Sequence, residues 1–321
     1  MTQPAHTAVL LLAHGSPDSP ADVPQFLLNV TGGRPLPEPA VAEIQKRYAQ
    51  IGRSPLTAIT LQQGEALAAA LKLPVFVGMR NWKPLVAETA LQMTEAGVRR
   101  AAAICLAPQN SRTSVGLYRQ AALAAAEGKF EVEFVDSWHD HPLLVRAYAE
   151  RLMEVWPRAC EESGARVPVL FTAHSVPQRT IQQGDPYAAQ ARETAALVAM
   201  QVPQLGVDDW TFAFQSQGMS GGPWLGPVVE ETILALKRKG HRGLLIQPVG
   251  FLCDHVEVLY DIDVVFREFA GRQGMRLWRA ESLNLSPTLI AALADVARSR
   301  LEPPEEARPS LVRISPGNKL V

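Results

Sequence analysis

Cysteine is scarce in this chain, with three residues among 321, at Cys105, Cys160 and Cys253. Their wide spacing excludes a CxxC metal or cluster motif, and an odd, sparse set is not typical of the disulfide framework of a secreted protein. Cysteine is also absent from residues 302–321, which excludes an iron–sulfur cluster held by that segment. We therefore interpret the three cysteines as small core residues of a cytosolic protein.

Neither sign of charge is in excess. The chain has 31 basic and 32 acidic side chains and a net charge of -1, so electrostatics gives no reason to expect nucleic acid or an anionic membrane surface as a partner. A hydrophobic fraction of 47% argues against a disordered or fibrous chain.

Long apolar runs are missing as well. The first run, residues 8–13, has six residues, whereas a signal peptide needs about 7 to 15 and a membrane span about 20. We therefore expect a cytoplasmic protein without an integral membrane segment.

Short apolar runs alternate with longer segments of helical period, a pattern typical of a parallel sheet covered by helices. Helix end signals support this reading, since Pro84 and Pro227 open segments that Gly97 and Gly240 close. The predicted strands cover residues 8–13, 75–79, 101–107, 131–135, 167–173, 211–215, 243–249 and 275–279.

The two halves of the chain resemble each other. Residues 11–17 (LLAHGSP) and 171–177 (FTAHSVP) share Ala-His and a turn proline, 160 positions apart. We predict an α/β fold of two similar doubly wound, Rossmann-like domains, each with a four-stranded parallel sheet, facing each other so that His14 and His174 lie in one cleft. The expected divisions are 1–140 and 141–285 for the domains, 286–301 for a C-terminal helix and 302–321 for a loose tail.

Carboxylates follow the strand at 243–249. A helix predicted from His255 to about Ala270 carries Glu257 and Asp261 four residues apart, with Glu268 near the same stripe. A solvated helix face would produce the same pattern. A histidine such as His174 beside these carboxylates would form a weak site for Fe²⁺, Co²⁺ or Zn²⁺ and a base that titrates near neutral pH.

Two other motifs receive no role. We interpret residues 139–141 (HDH) as a turn rather than a metal site, since the pattern ends at Pro142. The glycine-rich strings at 31–35 and 221–224 lack the spacing of phosphate-binding loops.

Ordered motifs along nearly the whole chain resemble the ferrochelatase family, the enzymes that insert Fe²⁺ into a porphyrin during haem synthesis. The most specific are FTAHSVP at 171–177 and VGFLCDHVEVLY at 249–260. The others lie at residues 29–34, 47–52, 54–60, 78–80, 106–109, 184–187, 215–216 and 223–227.

The resemblance implies a metal site formed by His174 and Glu257, with Asp261 at an acidic position one turn further on. These three residues are the implied catalytic group of a lyase whose substrates are a porphyrin and ferrous iron, with no organic cofactor and no iron–sulfur cluster. The next acidic position of the family is Val265 here.

The family pattern also implies porphyrin contacts by His14, Arg47, Tyr48, Ser54, Tyr118 and Trp224. Arginine and hydroxyl donors suit propionate carboxylates. His14 stands where the soluble bacterial enzymes have a tyrosine over the metal, and imidazole is a competent axial ligand to porphyrin iron. The stretch 26–28 (FLL) is either a lip for the porphyrin or plain core.

The closest pattern is that of the soluble bacterial coproporphyrin III ferrochelatases, so coproporphyrin III is the expected substrate and protoporphyrin IX the alternative. The product would pass to later enzymes of haem synthesis. A cobalt or nickel chelatase for a sirohydrochlorin-type ring, using His14 and His174, and a carrier of metal or tetrapyrrole without turnover remain rival interpretations.

Overall fold

Two four-stranded sheets form the framework of the protein. The computed structural model describes residues 6–218 and 222–301; the predicted tail at 302–321 lies outside the described residues. The first sheet contains β1 (Thr7–Ala13), β2 (Val75–Met79), β3 (Arg100–Cys105) and β4 (Glu131–Val135). The second contains β5 (Val169–His174), β6 (Trp210–Gln215), β7 (Gly243–Pro248) and β8 (Arg276–Arg279).

Strand order repeats between the sheets. It is β2-β1-β3-β4 in the first and β6-β5-β7-β8 in the second, and all neighbours are parallel. The predicted duplicated α/β fold is therefore confirmed. Strand order reverses between β1 and β3 and between β5 and β7, and doubly wound sheets bind ligands outside the carboxyl ends of the strands at such a point.

Helices connect the strands and cover both sheets. In the first half they are α1 (Val23–Val30), α2 (Glu38–Ile51), α3 (Leu56–Leu71), α4 (Val86–Glu95) and α5 (Val115–Ala126). In the second they are α6 (Pro142–Ser163), α7 (Gln178–Gln182), α8 (Tyr187–Met200), α9 (Val229–Arg238), α10 (Val256–Leu259), α11 (Arg267–Arg272) and α12 (Pro287–Leu301). A π-helix, Asp261–Phe266, joins α10 to α11, and short 3₁₀ turns occupy Pro20–Asp22 and Val207–Asp209.

The predicted strands match the structure with ends that differ by two residues or fewer, as for 101–107 against Arg100–Cys105. Parallel strands covered on both faces are continuous apolar runs, and β1 is buried from Ala8 to Ala13. The glycine end signals also hold, because Gly97 and Gly240 follow α4 and α9 with φ of 78° and 89°, which glycine adopts at little cost.

One core runs through both halves. It joins β1 and β3 to β5 and β7 through α6 and α12. Tyr148 on α6 is fully buried, and its hydroxyl donates a 2.9 Å hydrogen bond to the Phe251 carbonyl beyond β7. The domain limits at residues 140 and 285 stay a prediction.

The helix predicted from His255 to about Ala270 is wrong in one respect. The amide of Val265 donates to the Tyr260 carbonyl, five residues back, so a π-helical segment interrupts the α-helix. The side chains buried from this segment are Val258, Ile262, Phe266 and Ala270. Glu268 is turned to solvent, where it pairs with Arg272.

Within residues 6–218 and 222–301, none of the helices combines the length and apolarity that crossing a membrane requires. Cys105 is buried, as predicted for a core residue, while Cys160 and Cys253 are partly exposed.

Leu11→Ala tests the central position of β1. Leu11 is fully buried in the shared core, so its truncation is expected to lower the free energy of unfolding by about 2–5 kcal/mol. Leu91 on α4 is 54% exposed, and Leu91→Ala is expected to change stability by less than about 0.5 kcal/mol. Urea unfolding measures both variants, and equal losses would contradict the burial of β1.

Candidate active site

His174 is the last residue of β5. The strand holds it rigidly, because residues 169–173 are fully buried and the Tyr187 hydroxyl donates a 2.9 Å hydrogen bond to the His174 carbonyl. The chain leaving β7 passes close by at Gly250, where an added Cβ would lie 2.8 Å from the Cβ of Ala173. The absence of a side chain at Gly250 therefore lets the segment that carries Glu257 approach β5.

His174 and Glu257 form a direct contact. Nδ1 of His174 lies 2.9 Å from Oε2 of Glu257, and the two side chains are 35% and 32% exposed to the cleft. Burial favours the neutral form of each group, but their mutual attraction prevails. The pKa of His174 is raised above 6.5, and the charge of His174 lowers the pKa of Glu257 to about 2.

Asp261 lies next to this pair, and its pKa is shifted in the direction opposite to that of Glu257. Burial raises its pKa to about 6, even though the Ser216 hydroxyl, which donates a hydrogen bond to its carboxylate, acts in the opposite direction. Nη1 of Arg47 lies 4.0 Å from Oδ1 of Asp261. The three residues of the predicted catalytic group therefore lie together, and Asp261 is able to exchange a proton near neutral pH.

The π-helix that carries Asp261 is also held by Arg279. Nε of Arg279, at the end of β8, donates a 2.9 Å hydrogen bond to Oδ1 of Asp263. The same guanidinium lies 3.4 Å from Asp254, which anchors the loop before α10. Arg279 is well buried, so this network connects the π-helix and the loop to the second sheet.

His14 follows β1, in the position that His174 occupies on β5. Its ring lies edge-on to Phe26, with 5.7 Å between ring centroids. Desolvation and the charge of Arg80 lower the pKa of His14 to about 4, while the charge of Glu257 acts in the opposite direction. Because the charge of Glu257 acts on His14, the two strand ends that carry the histidines lie near each other.

Known proteins match nearly the whole chain. The family model described as Ferrochelatase matches residues 6–301. A protein of Acidobacterium capsulatum named Ferrochelatase is 56% identical over 309 residues, which cover 92% of this chain and 94% of that protein. The chain belongs to the ferrochelatase family. The resemblance inferred from the motifs is confirmed.

Two further matches are a second relative and a solved structure. A protein of a Geobacillus species named Coproporphyrin III ferrochelatase is 33% identical over 305 residues, covering 92% of this chain and 97% of that protein. The cobalt complex of a sirohydrochlorin chelatase from Bacillus subtilis superposes with a TM-score of 0.56 over 94% of this chain and 97% of that one. At 12% identity this second match shows the chelatase fold alone.

In this ferrochelatase, the residues predicted to contact the porphyrin differ in how far their side chains are exposed to solvent. The guanidinium of Arg47 is 40% exposed and lies 5.4 Å above the Tyr260 ring, whereas Tyr48, Ser54 and Tyr118 are buried. The hydroxyl of Ser54 has no hydrogen-bond partner among the described residues. Contact of these residues with the porphyrin stays a prediction.

Trp224 stands beside the catalytic group. Its ring is perpendicular to that of His174, with 6.5 Å between centroids, and its carbonyl accepts a 3.1 Å hydrogen bond from the Gln178 amide. It therefore forms part of the wall next to His174. Its predicted contact with a porphyrin is likewise untested by this geometry.

Residues 26–28 agree partly with each of the two interpretations, plain core and a lip for the porphyrin. Phe26 and Leu27 are buried in a cluster with Tyr48 and Trp82, while Leu28 lines an open cavity. Residues 139–140 form a turn, as predicted. The two histidines of that motif serve local structure, since His139 contacts Glu193 and His141 contacts Asp295.

Sequence reasoning assigned no role to Arg80, Tyr187, Gln215 or Ser216. All four lie in motifs that carried the resemblance, at 78–80, 184–187 and 215–216. Gln215 donates a 2.9 Å hydrogen bond to the Glu257 carbonyl, and Ser216, with φ of 58°, reaches Asp261. The signal was present in the motifs, but the contacts join residues more than 40 positions apart.

No group of three or more His, Cys, Asp or Glu side chains in the described part of the chain has the arrangement of a metal site. His174 and Glu257 are an imidazole and a carboxylate, which are ligand types that suit Fe²⁺.

Glu257→Gln is expected to lower the pKa of His174, because the carboxylate that outweighs burial is removed. Histidine ring NMR across pH 5–9 measures this. Glu268→Gln, at an exposed carboxylate, is the matched control and should leave the titration of His174 unchanged. An unaltered pKa in Glu257→Gln would contradict the pairing.

The same pair gives stability a defined pH dependence. Because the folded pKa of His174 lies above 6.5, its contribution is full below that pH and is lost as pH rises through the raised value. The contribution of Glu257 is full above its ordinary value of 4.5 and is lost only as pH falls toward about 2.

Proposed function

We propose that this ferrochelatase inserts Fe²⁺ into coproporphyrin III, giving coprohaem. The observation that carries the chemistry is the His174–Glu257 contact of 2.9 Å at the switch point of the second sheet. The substrate assignment is supported by relatives named Coproporphyrin III ferrochelatase that align over nearly their whole length. Protoporphyrin IX is the alternative, since the relative at 56% identity is named only Ferrochelatase.

Insertion replaces two pyrrole N–H protons by one Fe²⁺, so the site must accept two protons while it leaves a metal path open. In this proposal neutral His174 accepts a pyrrole proton, and the ionised Glu257 beside it stabilises the resulting imidazolium. Asp261, with a pKa of about 6, takes up and releases protons near neutral pH. Glu257 stays ionised while His174 carries the proton, because the charge of His174 lowers the pKa of Glu257 to about 2.

His14 has a separate role in the proposal. Its pKa of about 4 keeps the imidazole neutral at pH 7, so a ring nitrogen has a lone pair available for porphyrin iron. The metal would then meet His174 and Glu257 on one face of the porphyrin and His14 on the other. A cytoplasmic location and handover of the product to a later enzyme of haem synthesis belong to the same proposal.

Anaerobic Fe²⁺ insertion, followed by visible absorbance with coproporphyrin III and protoporphyrin IX side by side, tests the substrate. We expect a higher kcat/KM for coproporphyrin III. A preference for protoporphyrin IX would reject the substrate assignment and retain the family activity. No turnover of either porphyrin would reject the proposed function and favour a sirohydrochlorin-type substrate or a carrier.

His174→Ala is expected to lower kcat about 10²–10⁴-fold, the usual contribution of a general base, with little change in the Kd for coproporphyrin III. Fluorescence titration gives the Kd. His241→Ala, at a histidine outside the catalytic group, serves as control and should retain full activity. Turnover within tenfold of wild type in His174→Ala would contradict the role of His174 as proton acceptor.

A further inference from the structure

Arg80 lies beside His14 on the wall of the first sheet. It follows β2, and its amide donates a 2.9 Å hydrogen bond to the Ala13 carbonyl. The next amide, of Asn81, donates a 3.0 Å hydrogen bond to the His14 carbonyl. The backbone thus fixes Arg80 next to the residue that faces the cleft.

The guanidinium of Arg80 carries a charge that no carboxylate neutralises. Among the described residues it forms no ion pair, and its Nε is buried without a hydrogen-bond partner. Its Cζ lies 5.5 Å from the centroid of the Tyr118 ring, and it partly offsets the rise that burial causes in the pKa of the Tyr118 hydroxyl. A hydrogen bond to the Tyr118 hydroxyl and the position over its buried ring hold the planar group in place.

Arg80 borders an open cavity of about 500 Å³. The opposite wall comes from α1 and the turn that follows it, where neither Gly32 nor Gly33 would bring a Cβ within 4 Å of another atom. The residues that line the cavity include no acidic side chain, and Arg80 is the one charged residue among them. The others are Gln25, Leu28, Asn29, Gly32, Gly33 and Leu85. The cavity therefore presents one positive charge, amide groups and apolar surface.

We propose that Arg80 binds a carboxylate of the porphyrin in this cavity. An arginine fork matches a carboxylate in geometry and charge, and the surrounding Leu28 and Leu85 suit the methylene groups of a propionate. The inference rests on the proposed function, because the carboxylate is supplied by a porphyrin whose centre lies over His14. A porphyrin carries its carboxylates on its rim, and Arg80 is near enough to His14 for its charge to act on that ring, so the inference requires the rim of the porphyrin to reach the cavity beside Arg80.

Binding of metal-free coproporphyrin III and of its tetramethyl ester, in the same detergent buffer, tests this assignment through fluorescence titration. Arg80→Met is expected to raise the Kd for the acid at least about tenfold and to leave the Kd for the ester unchanged. Arg80→Lys should lie between, because it keeps the charge and loses the fork. Arg119→Met is the control, since Arg119 on α5 pairs with Asp136 outside the cavity.

Equal losses for the acid and the ester would assign Arg80 a structural role and overturn the proposal, as would an unchanged Kd for the acid. A structure of the wild-type complex with coproporphyrin III provides a test that does not depend on variant folding. A porphyrin carboxylate within hydrogen-bond distance of the Arg80 guanidinium is expected there, and its absence would overturn the inference.

The series also separates this inference from the proposed function. Wild-type protein that inserts iron into coproporphyrin III while Arg80→Met binds it normally would reject the role of Arg80 alone. If protoporphyrin IX is the porphyrin turned over, the same comparison with that acid and its dimethyl ester decides the role of Arg80. Wild-type protein that binds neither acid rejects the function and the inference together.

Discussion

The contact between His174 and Glu257 is the interaction on which the site depends. If either group were buried alone, it would lose its charge. At 2.9 Å each group instead stabilises the charged form of the other. The contact requires the end of β5 and the start of α10 to meet. That meeting is possible because β7 lies next to β5 and because Gly250 brings no side chain against Ala173. The strand order and one glycine therefore make the contact between His174 and Glu257 possible.

The cleft has an electrostatic pattern that fits a tetrapyrrole. Glu257 and Asp261 belong to the second sheet and its π-helix, and in the proposed function they act on the protons at the centre of a bound ring. Arg80 follows β2 of the first sheet and has no ion pair among the described residues; in the proposed function it would meet the carboxylates at the rim. Arg47 connects the walls, because it extends from α2 to Asp261 on the π-helix. Acidic groups at the centre and a basic group at the rim would bind the same substrate without repelling its carboxylates.

The framework was predictable from the sequence because parallel strands buried on both faces leave unbroken apolar runs, and residues 8–13 or 243–249 need no tertiary information to be recognised. The segment after Tyr260 was not, since its period changes from α to π where Asp261 and Asp263 are held by Ser216 and Arg279, residues far away in the chain. His174 and Glu257 were found through motifs and the meeting of strand ends. Arg80 lies in one of those motifs, at 78–80, but a motif does not show that a guanidinium has no ion pair in the folded protein.

The duplication explains how one residue type can serve two purposes. His14 and His174 stand at equivalent strand ends, yet their surroundings shift their pKa values in opposite directions. Desolvation and the nearby Arg80 hold His14 neutral, which preserves a lone pair for a metal. Glu257 and Asp261 raise the pKa of His174, which makes it a better proton acceptor. In the proposed function, two copies of one fold would supply a ligand and a base, because the charged neighbours differ between the copies while the histidines do not.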